Sequence, residues 1–505
     1  MNHWIIAPVL LPALTAVTLL LTARADRNMH RAFSVLSTLA TLGVALWLSG
    51  IASEGTRHIY ALGDWPVPFG IVLVADRLST TMVLLTSFVG LGALLHAIQG
   101  WDERGRNFHA LFQFQLMGLN NAFLTGDIFN LFVSFEILLI ASYALLLHGG
   151  GEERVRAGLH YVIINLVGSA LFIIALGLIY GTLGTLNMAD MAARIGELDA
   201  GSLAIARSAF LLLFVVFAIK AAALPLYFWL PKAYSAACAP VASLFAIMTK
   251  VGIYAIVRVS TLLFGANAGP LAGLGSDTVL WAGVVTAVAA ALGVLAARDL
   301  RGLVSYLVIA SVGLLLMAVG LQTVEARAAM LYYLVHSTVV SAGFFLAAEA
   351  IGTRRGALGT SISHGVAVRS AALVGPLYFV YAMAAVGMPP LSGFLGKVMV
   401  LRAAVDSPAA PALFAVILGA GLVYVVAVSR AGTTVFWKSV GADAPEPSLT
   451  PPAPIGPSLL HLVAVVALVV GAGSALAYAE SIALQLEDAS GYIDAVMSHR
   501  SIGRS

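Results

Sequence analysis

Five ionisable side chains stand inside stretches of the chain that are otherwise apolar. In "FLTGDIFNLFVSFEILLIASYALLLHG" (123–149), for example, no Asp, Glu, Lys or Arg occurs within eight residues of the central glutamate. A charge in membrane hydrocarbon costs roughly 2.5–3.5 kcal/mol on insertion scales, so such residues usually face the protein interior and serve a function. The five are Glu136, Lys220, Lys250, His336 and Lys397.

Acid, base and imidazole together suit proton transfer. A dry cavity disfavours the charged form of a lysine, whereas a nearby carboxylate favours it, so the two groups change each other's affinity for a proton. The imidazole of His336 can relay a proton through its two ring nitrogens, and Ser337, Thr338 and Ser341 beside it could hold waters. The set therefore indicates a buried proton pathway to which several helices contribute.

These residue types also admit structural interpretations, which the sequence leaves open. A buried Glu–Lys pair can tie two helices together, and a membrane histidine can be a hydrogen-bonded packing residue. We interpret Arg258 as a residue that extends to the outer surface and Lys232 as a loop lysine at the inner surface. Asp127 fits a helix N-cap at least as readily as a functional role.

The composition excludes a soluble enzyme. Of 505 residues, 60% are hydrophobic and 10% are charged, with a mean hydropathy of +0.97, whereas soluble domains carry roughly 25% charged residues. The net charge of +3 is spread along the chain and gives no argument for nucleic acid, and a single cysteine, Cys238, excludes an intrachain disulfide. No phosphate-binding loop, metal-ligand spacing or nucleophile elbow occurs, so we expect neither an enzyme nor a bound metal or cofactor.

About fourteen segments are apolar enough and long enough, at about 20 residues, to cross a bilayer as helices. No linker between them could hold a separate soluble domain, so the prediction is an all-α polytopic membrane protein. The segments lie near 3–22, 33–52, 78–98, 108–125, 127–148, 158–183, 207–230, 236–264, 271–297, 302–322, 326–351, 370–404, 410–437 and 457–480.

The basic residues in the loops predict the orientation. With the N-terminus outside, the inner loops carry fifteen Lys and Arg residues. The outer loops and tail carry six, or eight with Arg77 and Arg207 at helix ends. Both termini are therefore predicted to lie outside.

Prolines interrupt two of the predicted spans. The seventh, "KAAALPLYFWLPKA", contains Pro225, and the twelfth, "AVGMPPLSGFLGKVMV", contains Pro389 and Pro390. Broken backbone at membrane depth is tolerated only inside protein or beside a water-filled cavity. The stretches "PLYFWLPK" (225–232) and "PLSGFLGK" (390–397) resemble each other and lie five spans apart, an odd offset that inverts the second copy. Paired broken helices of this kind are typical of inverted-repeat transporters.

Several segments together resemble a known family. They are "GDIFNLFVSFEILLIASY" (126–143), "KAAALPLYFWLPKAYSAACAPVASLFAIMTKVGIYAIVR" (220–258), "ARDLRGLVSYLVIASVG" (297–313), "YYLVHSTVVSAGFF" (332–345) and "GMPPLSGFLGK" (387–397). In order and content they resemble the antiporter-like subunits shared by Mrp-type multisubunit monovalent cation/proton antiporters and respiratory complex I. The chain looks most like the D subunits of the Mrp complex.

The resemblance implies a fold of fourteen transmembrane helices with two inverted five-helix repeats, helices 4–8 and 9–13, in which helices 7 and 12 are broken. It implies four units: helices 1–3 in residues 1–107, the first repeat in 108–264, the second repeat in 265–438, and helix 14 with the C-terminal tail in 439–505.

The resemblance also implies a role for each interior residue. Glu136 and Lys220 would be the coupled pair of helices 5 and 7, and Lys250 the connecting lysine of helix 8. His336 would be the relay of helix 11, and Lys397 the terminal lysine of helix 12. One position departs from the pattern: many family members place a lysine four or five residues after the histidine, where this chain has Val340 and Ser341. Waters held by Ser341 or Thr338 would have to replace it.

The implied function is proton translocation within a multisubunit Na⁺(K⁺)/H⁺ antiporter of the bacterial inner (cell) membrane. Other membrane subunits would be its partners, and Na⁺ or K⁺ and H⁺ the transported ions. The alternative is a proton-pumping membrane subunit of a complex I-like NADH:quinone oxidoreductase or a membrane hydrogenase. A third hypothesis is a scaffold that conducts nothing.

Overall fold

The computed structural model describes residues 2–24, 26–438 and 452–498, with the side chain of Asn267 left out. Parts of the predicted C-terminal unit 439–505, namely 439–451 and 499–505, lie outside the described residues. The Pro-rich stretch that precedes the last predicted span falls largely there.

Helices make up most of the described chain. The first eleven are α1 (Ala7–Leu21), α2 (Arg27–Ser53), α3 (Arg77–Ala97), α4 (Phe108–Leu124), α5 (Ile128–Leu146), α6 (Glu152–Leu183), α7 (Met188–Arg194), α8 (Ala200–Ala221), α9 (Trp229–Ala236), α10 (Ala239–Phe245) and α11 (Met248–Leu263). The others are α12 (Ser276–Ala296), α13 (Leu300–Gly320), α14 (Val324–Gly352), α15 (Ala371–Val386), α16 (Ser392–Ala403), α17 (Ala410–Phe436), α18 (Gly456–Val470), α19 (Ala472–Glu487) and α20 (Ala489–Met497). Two short strands, β1 (His58–Ala61) and β2 (Val72–Ala75), pair antiparallel.

Ten helices within the described ranges are long and apolar enough to cross a membrane, or eleven if α18 and α19, bent by 84°, form one span. The chain is therefore a mostly helical polytopic membrane protein, as predicted, but this number is below fourteen. The reason is length, since α1, α4 and α15 have 15, 17 and 16 residues. At 1.5 Å per residue each measures about 25 Å, short of a hydrocarbon layer of about 30 Å.

Both predicted interruptions are present. The helix α8 ends at Ala221, and Ala222 adopts the left-handed conformation with a φ of 59° before the stretch that contains Pro225. The helix α15 ends at Val386, and α16 begins at Ser392 after Pro389 and Pro390. A helix end leaves backbone carbonyls without partners, so each break supplies acceptors inside the protein.

The predicted span over 236–264 is one span in the structure, Ala239–Leu263. Between α10 and α11 its backbone tightens, because the amides of Ala246 and Ile247 donate to the carbonyls of Ser243 and Leu244, three residues back. No Pro or Gly marks these positions. This tightened turn lies directly before Lys250.

The loops separate into two faces. At one face Arg31 binds Asp102, with 2.6 Å between Nε and Oδ2, and at the other Arg57 binds Asp488, with 3.0 Å between Nη1 and Oδ2. We call them the arginine-rich face (98–107, 147–151, 232–238, 297–301 and 353–370) and the tail face (54–76, 184–199, 264–275, 321–323 and 487–497).

Arg258 does not extend to the surface, so that interpretation is wrong. It is 4% exposed, and its Nη1 lies 2.7 Å from Oδ2 of Asp76. The guanidinium also packs against the rings of Tyr254 and Tyr492, at 5.6 and 5.5 Å from their centres. A carboxylate from the start of α3 replaces water as the partner of this charge. Asp127, in contrast, is the N-cap of α5, with 2.8 Å between the amide of Asn130 and its Oδ1.

Two matching junctions occur five predicted helices apart, on opposite faces. At the start of α5 the amide of Ile128 donates to Leu186 (2.9 Å) and that of Met188 to Gly126 (2.9 Å). At the start of α13 the amide of Leu300 donates to Thr360 (2.8 Å) and that of Ile362 to Arg298 (2.8 Å). Each junction has an aspartate N-cap; the two caps are Asp127 and Asp299.

Close helix contact places α11 directly against the end of α8. A Cβ on Gly252 would lie 2.6 Å from the backbone nitrogen of Ala221, so only glycine permits this approach.

Gly252→Ala is expected to lower the free energy of unfolding by about 1–3 kcal/mol, the usual cost of overpacking. Thermal unfolding in detergent measures it. In the control, Gly177→Ala, the added Cβ has nothing within 4 Å, and stability is expected to stay equal or rise by up to about 1 kcal/mol, because alanine favours a helix over glycine. Equal stability of the two variants would contradict the close contact.

Candidate proton pathway

A serine on α6 connects the glutamate of α5 with the lysine of α8. The hydroxyl of Ser169 donates to Oε1 of Glu136 and accepts from Nζ of Lys220 at 3.4 Å. Lys220 is 4% exposed and also donates to the carbonyl of Asn165 at 3.2 Å and to its Oδ1 at 3.4 Å. No direct Glu136–Lys220 ion pair within 4.0 Å occurs in the part of the chain that the structure describes. The predicted pair is therefore joined through a hydroxyl.

The sequence of α6 explains this arrangement. Asn165 and Ser169 are four residues apart, so they lie on one face of the helix. Gly168 packs next to the lysine, since a Cβ there would lie in ordinary contact, 3.5 Å from Nζ of Lys220. The sequence analysis did not single out Asn165 or Ser169, although two polar side chains four residues apart in an apolar helix indicate a polar face directed into the protein.

Lys250 lies in the centre of the protein with no exposed surface. Its Nζ donates to Oγ of Ser311 on α13 at 2.8 Å, and that hydroxyl donates to the carbonyl of Val308 at 2.6 Å. Two further hydroxyls near the turn between α10 and α11, those of Ser243 and Thr249, are buried without a partner among the described residues. The surroundings of Lys250 are thus polar, and no carboxylate of the described chain is bonded to it.

His336 contacts the start of α16, immediately after the second proline break. Its Nδ1 lies 2.7 Å from Oγ of Ser392, and the ring is 1% exposed. A Cβ on Gly393 would lie 2.7 Å from Nε2, so the imidazole lies directly against the helix backbone. A serine hydroxyl can donate or accept, and this contact therefore suits either tautomer.

Lys397 binds the carbonyl that the same break releases. Its Nζ donates to the carbonyl of Val386, the last residue of α15, at 2.6 Å. The ammonium also lies 5.5 Å from the ring centre of Tyr424 on α17, a favourable cation–π distance. His336 and Lys397 both contact α16 and its preceding break, so the structure brings these two groups to one place.

The positions where the family pattern has a lysine are buried in this chain. Val340 is 2% and Ser341 5% exposed. The hydroxyls of Ser337 and Thr338 donate back to the carbonyl of Leu334, at 3.2 and 2.7 Å. Each hydroxyl oxygen keeps its acceptor capacity in this arrangement, as a water-holding role requires. Lys250 shares no direct hydrogen bond with Lys220 or His336 in the described ranges.

Residues 125–422 match the family described as "NADH:quinone oxidoreductase/Mrp antiporter, TM". The chain belongs to this family. A probable K⁺/H⁺ antiporter D subunit of Rhizobium meliloti is 40% identical over 96% of this chain and 95% of its own length. A Na⁺/H⁺ antiporter D subunit of Alkalihalophilus pseudofirmus is 36% identical over 98% of this chain and 100% of its own. The resemblance drawn from the sequence is confirmed.

Solved structures of the family share the fold. A chain of the Mrp complex from Dietzia sp. gives a TM-score of 0.86 at 26% identity, covering 98% of this chain and 100% of its own. A chain of the membrane-bound sulfane sulfur reductase, an archaeal respiratory membrane complex, gives 0.89 at 25% identity, with 97% and 100% covered. A chain of respiratory complex I from Thermus thermophilus gives 0.79 at 25% identity, with 96% and 100% covered.

Removal of the bridging hydroxyl tests the geometry of this family member. Ser169→Ala is expected to lower cation/proton exchange by about tenfold or more, because a hydrogen bond to a charged group is worth about 1.5–3 kcal/mol. Exchange in membrane vesicles that contain the full complex measures it. The control is Ser208→Ala, which removes an exposed hydroxyl on α8 bonded only to the carbonyl of Ala204. Full exchange by the Ser169→Ala protein would contradict the coupling role.

Proposed function

We propose that the chain is the proton-translocating subunit of a multisubunit Na⁺(K⁺)/H⁺ antiporter, a secondary transporter component and not an enzyme. The observation that carries the proposal is the Glu136–Ser169–Lys220 connection, in which two protonatable groups on different helices share one hydroxyl inside the membrane part of the chain. The two antiporter relatives, whose names state K⁺/H⁺ and Na⁺/H⁺ antiport, support the same function.

The connection gives a mechanism for coupling. When Glu136 is ionised, its charge acts through Ser169 to favour the ammonium form of Lys220. When Glu136 takes up a proton, that support is lost, and Lys220 releases its own proton more readily. The released proton would pass by way of Lys250 and His336 to Lys397. Water would complete the steps between these residues, since each of them contacts neutral groups in the described structure.

The proposed architecture has fourteen transmembrane helices and two inverted five-helix repeats, helices 4–8 (108–264) and 9–13 (265–438). Helices 1–3 (1–107) precede them, and helix 14 with the tail (439–505) follows. The two proline breaks support the repeats, and so do the matching junctions at Asp127 and Asp299. An odd offset of five helices accounts for junctions of the same pattern on opposite faces.

The proposed location is the bacterial cell membrane, with both termini outside and the arginine-rich face inside, since cytoplasmic loops carry an excess of Lys and Arg. The proposed partners are other membrane subunits of the antiporter. The similar chains in solved structures belong to multisubunit membrane complexes, which supports an assembly of this kind. No nucleic-acid partner is proposed.

A second candidate is a proton-pumping membrane subunit of a complex I-like NADH:quinone oxidoreductase or a membrane hydrogenase. The TM-scores of 0.89 and 0.79 with chains of two respiratory complexes favour it. Within the chain the proton chemistry would be the same, but a redox reaction in partner subunits would drive it. Proton pumping on addition of NADH or hydrogen, with no response to a Na⁺ or K⁺ gradient, would select this candidate.

Two substitutions in the complete complex test the function. Glu136→Gln and Lys220→Ala are each expected to abolish proton movement driven by a Na⁺ or K⁺ gradient in vesicles. The matched control is Lys232→Ala, because Lys232 is a lysine on α9 that is exposed, and it should keep full exchange. Proton movement is followed with a pH-sensitive dye while the gradient is reversed and the two cations are compared. Full exchange by Glu136→Gln or Lys220→Ala would refute the assignment.

A further inference from the structure

A second buried carboxylate–histidine cluster lies away from the proposed pathway, at the arginine-rich face. Glu349, in the last turn of α14, is 5% exposed, and His96, in the last turn of α3, is 1% exposed. Nε2 of His96 lies 3.0 Å from Oε2 of Glu349, and the indole nitrogen of Trp101 donates to Oε1 at 2.6 Å. The pair joins α3 to α14, the helix that also carries His336.

A histidine of α18 lies against the same face of α3, one turn before His96. His461 packs against α3 at Gly92, where a Cβ would lie 3.0 Å from its Nε2. Gly92 is four residues before His96 and therefore lies on the same helix face. Nδ1 of His461 lies 2.8 Å from the carbonyl of Pro457, and since a carbonyl only accepts, Nδ1 carries the hydrogen. Nε2 of the neutral ring is then a proton acceptor.

Two ring nitrogens of the cluster are buried without a partner among the described residues: Nδ1 of His96 and Nε2 of His461. A buried polar atom left unpaired costs about 1–3 kcal/mol, and such atoms in native proteins usually have a functional reason. The cluster therefore has capacity for a proton that its present hydrogen bonds do not use. Nδ1 of His109 at the same face is likewise buried without a partner among the described residues, so what sets this cluster apart is the set of groups bonded to its carboxylate.

The neighbouring pair of His109 and Asp102 is a buried carboxylate–histidine contact with a structural role. His109 lies 3.2 Å from Asp102, but Arg31 also binds that carboxylate through two nitrogens, at 2.6 and 2.9 Å. Burial raises the pKa of Asp102, but the hydrogen bonds and charges of Arg31 and His109 outweigh it and hold the pKa below its usual range. Glu349 has no guanidinium bonded to it in the described ranges, so its carboxylate is bonded to a histidine and an indole instead of a permanent charge.

The other charged and titratable groups around the cluster come from the adjoining elements. From α6, Nε of Arg154 donates to the carbonyl of Ala236 at 3.0 Å, and from α13, Arg301 donates to the carbonyl of Ala237 at 3.3 Å. Both arginines thus hold the connection to α10, next to buried Cys238. Arg104 lies over the ring of Trp101 at 3.9 Å. The charge of Arg301 favours the ionised form of Glu349, but none of these arginines is hydrogen-bonded to the carboxylate in the described ranges.

We propose that His96, Glu349 and His461 form a proton-exchange site, which takes up or releases a transported proton at the arginine-rich face. This inference rests on the proposed function of the chain. One proton from water adds to the pair of neutral His96 and ionised Glu349, whose net charge changes from minus one to zero, and it leaves by the reverse step. No other bond forms or breaks.

Glu349 and His336 are thirteen residues apart on α14, which is about 20 Å along the helix. Thr338, which lies between them in the chain, is on the same side of α14 as Glu349.

The site is tested in vesicles that contain the complete complex. Glu349→Gln keeps the size of the side chain and removes the negative charge, so proton binding weakens. Half-maximal exchange should then require about tenfold more protons, one pH unit lower, which is the size of shift that loss of a neighbouring charge produces. His96→Gln should also change the pH profile, whereas Glu349→Asp should largely retain it. The matched control, His109→Gln, should leave the profile unchanged.

Infrared spectroscopy of the purified complex separates this proposal from the proposed function. A pH step should change a carboxyl band that disappears in Glu349→Gln but persists in Lys220→Ala, even though the latter no longer transports. Native pH profiles in both Glu349→Gln and His96→Gln, at unchanged amounts of assembled complex, would overturn the proposal. An equal shift in His109→Gln, or a carboxyl band unaffected by Glu349→Gln, would do the same. If Glu349→Gln fails to assemble, His96→Gln and the band in Glu349→Asp decide the question.

Discussion

The solvation of charged groups without bulk water is the constraint on which this structure depends. Each basic or imidazole group of the proposed pathway is bonded to neutral dipoles: Lys220 to Asn165 and Ser169, and Lys250 to Ser311. His336 and Lys397 follow the same rule with Ser392 and the carbonyl of Val386. A neutral partner stabilises a charge but leaves no unpaired opposite charge when the proton departs. Proton affinity can therefore be adjusted at these sites.

Ion pairs hold the structure where protonation must not change. Arg258 and Asp76 tie α11 to the start of α3 under the rings of Tyr254 and Tyr492, and Arg31 fixes Asp102 at the opposite face. The fold thus uses two kinds of buried charge. Arg258 and Arg31, which are permanently charged, have carboxylate partners, whereas the lysines and His336 of the pathway contact hydroxyls, amides and carbonyls.

The helix breaks connect this electrostatic pattern with the architecture. A continuous helix satisfies its own carbonyls, so a lysine inside it would find no backbone acceptor. The α15–α16 break gives Lys397 the carbonyl of Val386 and places Ser392 beside His336. Between α10 and α11 the backbone only tightens, and Lys250 beside this turn binds the hydroxyl of Ser311 on α13. The chain therefore departs from regular helix close to the residues that carry charge.

The sequence predicted the polytopic helical class, the two proline breaks and the family, because hydropathy, proline and motif order are local signals. It missed Ser169, although its spacing from Asn165 marks one polar face of α6. It did not predict Ser311 or Ser392 as partners, since serines are frequent in membrane helices and only packing decides which of them meet Lys250 and His336. Arg258 was misinterpreted for a related reason: its partner Asp76 is 182 positions away. The tightened turn between α10 and α11 carries no proline or glycine, so no residue type marks it in the sequence.

The central claim is that the five interior groups form one hydrated path. A cryo-EM map of the assembled complex, at a resolution that shows ordered waters, tests it most directly. The account predicts hydrogen-bonded waters that join Lys220 to Lys250, Lys250 to His336 and His336 to Lys397. It also predicts ordered waters beside Thr338 and Ser341. Dry, continuous side-chain packing between Lys250 and His336 in every conformation of the working complex would contradict it.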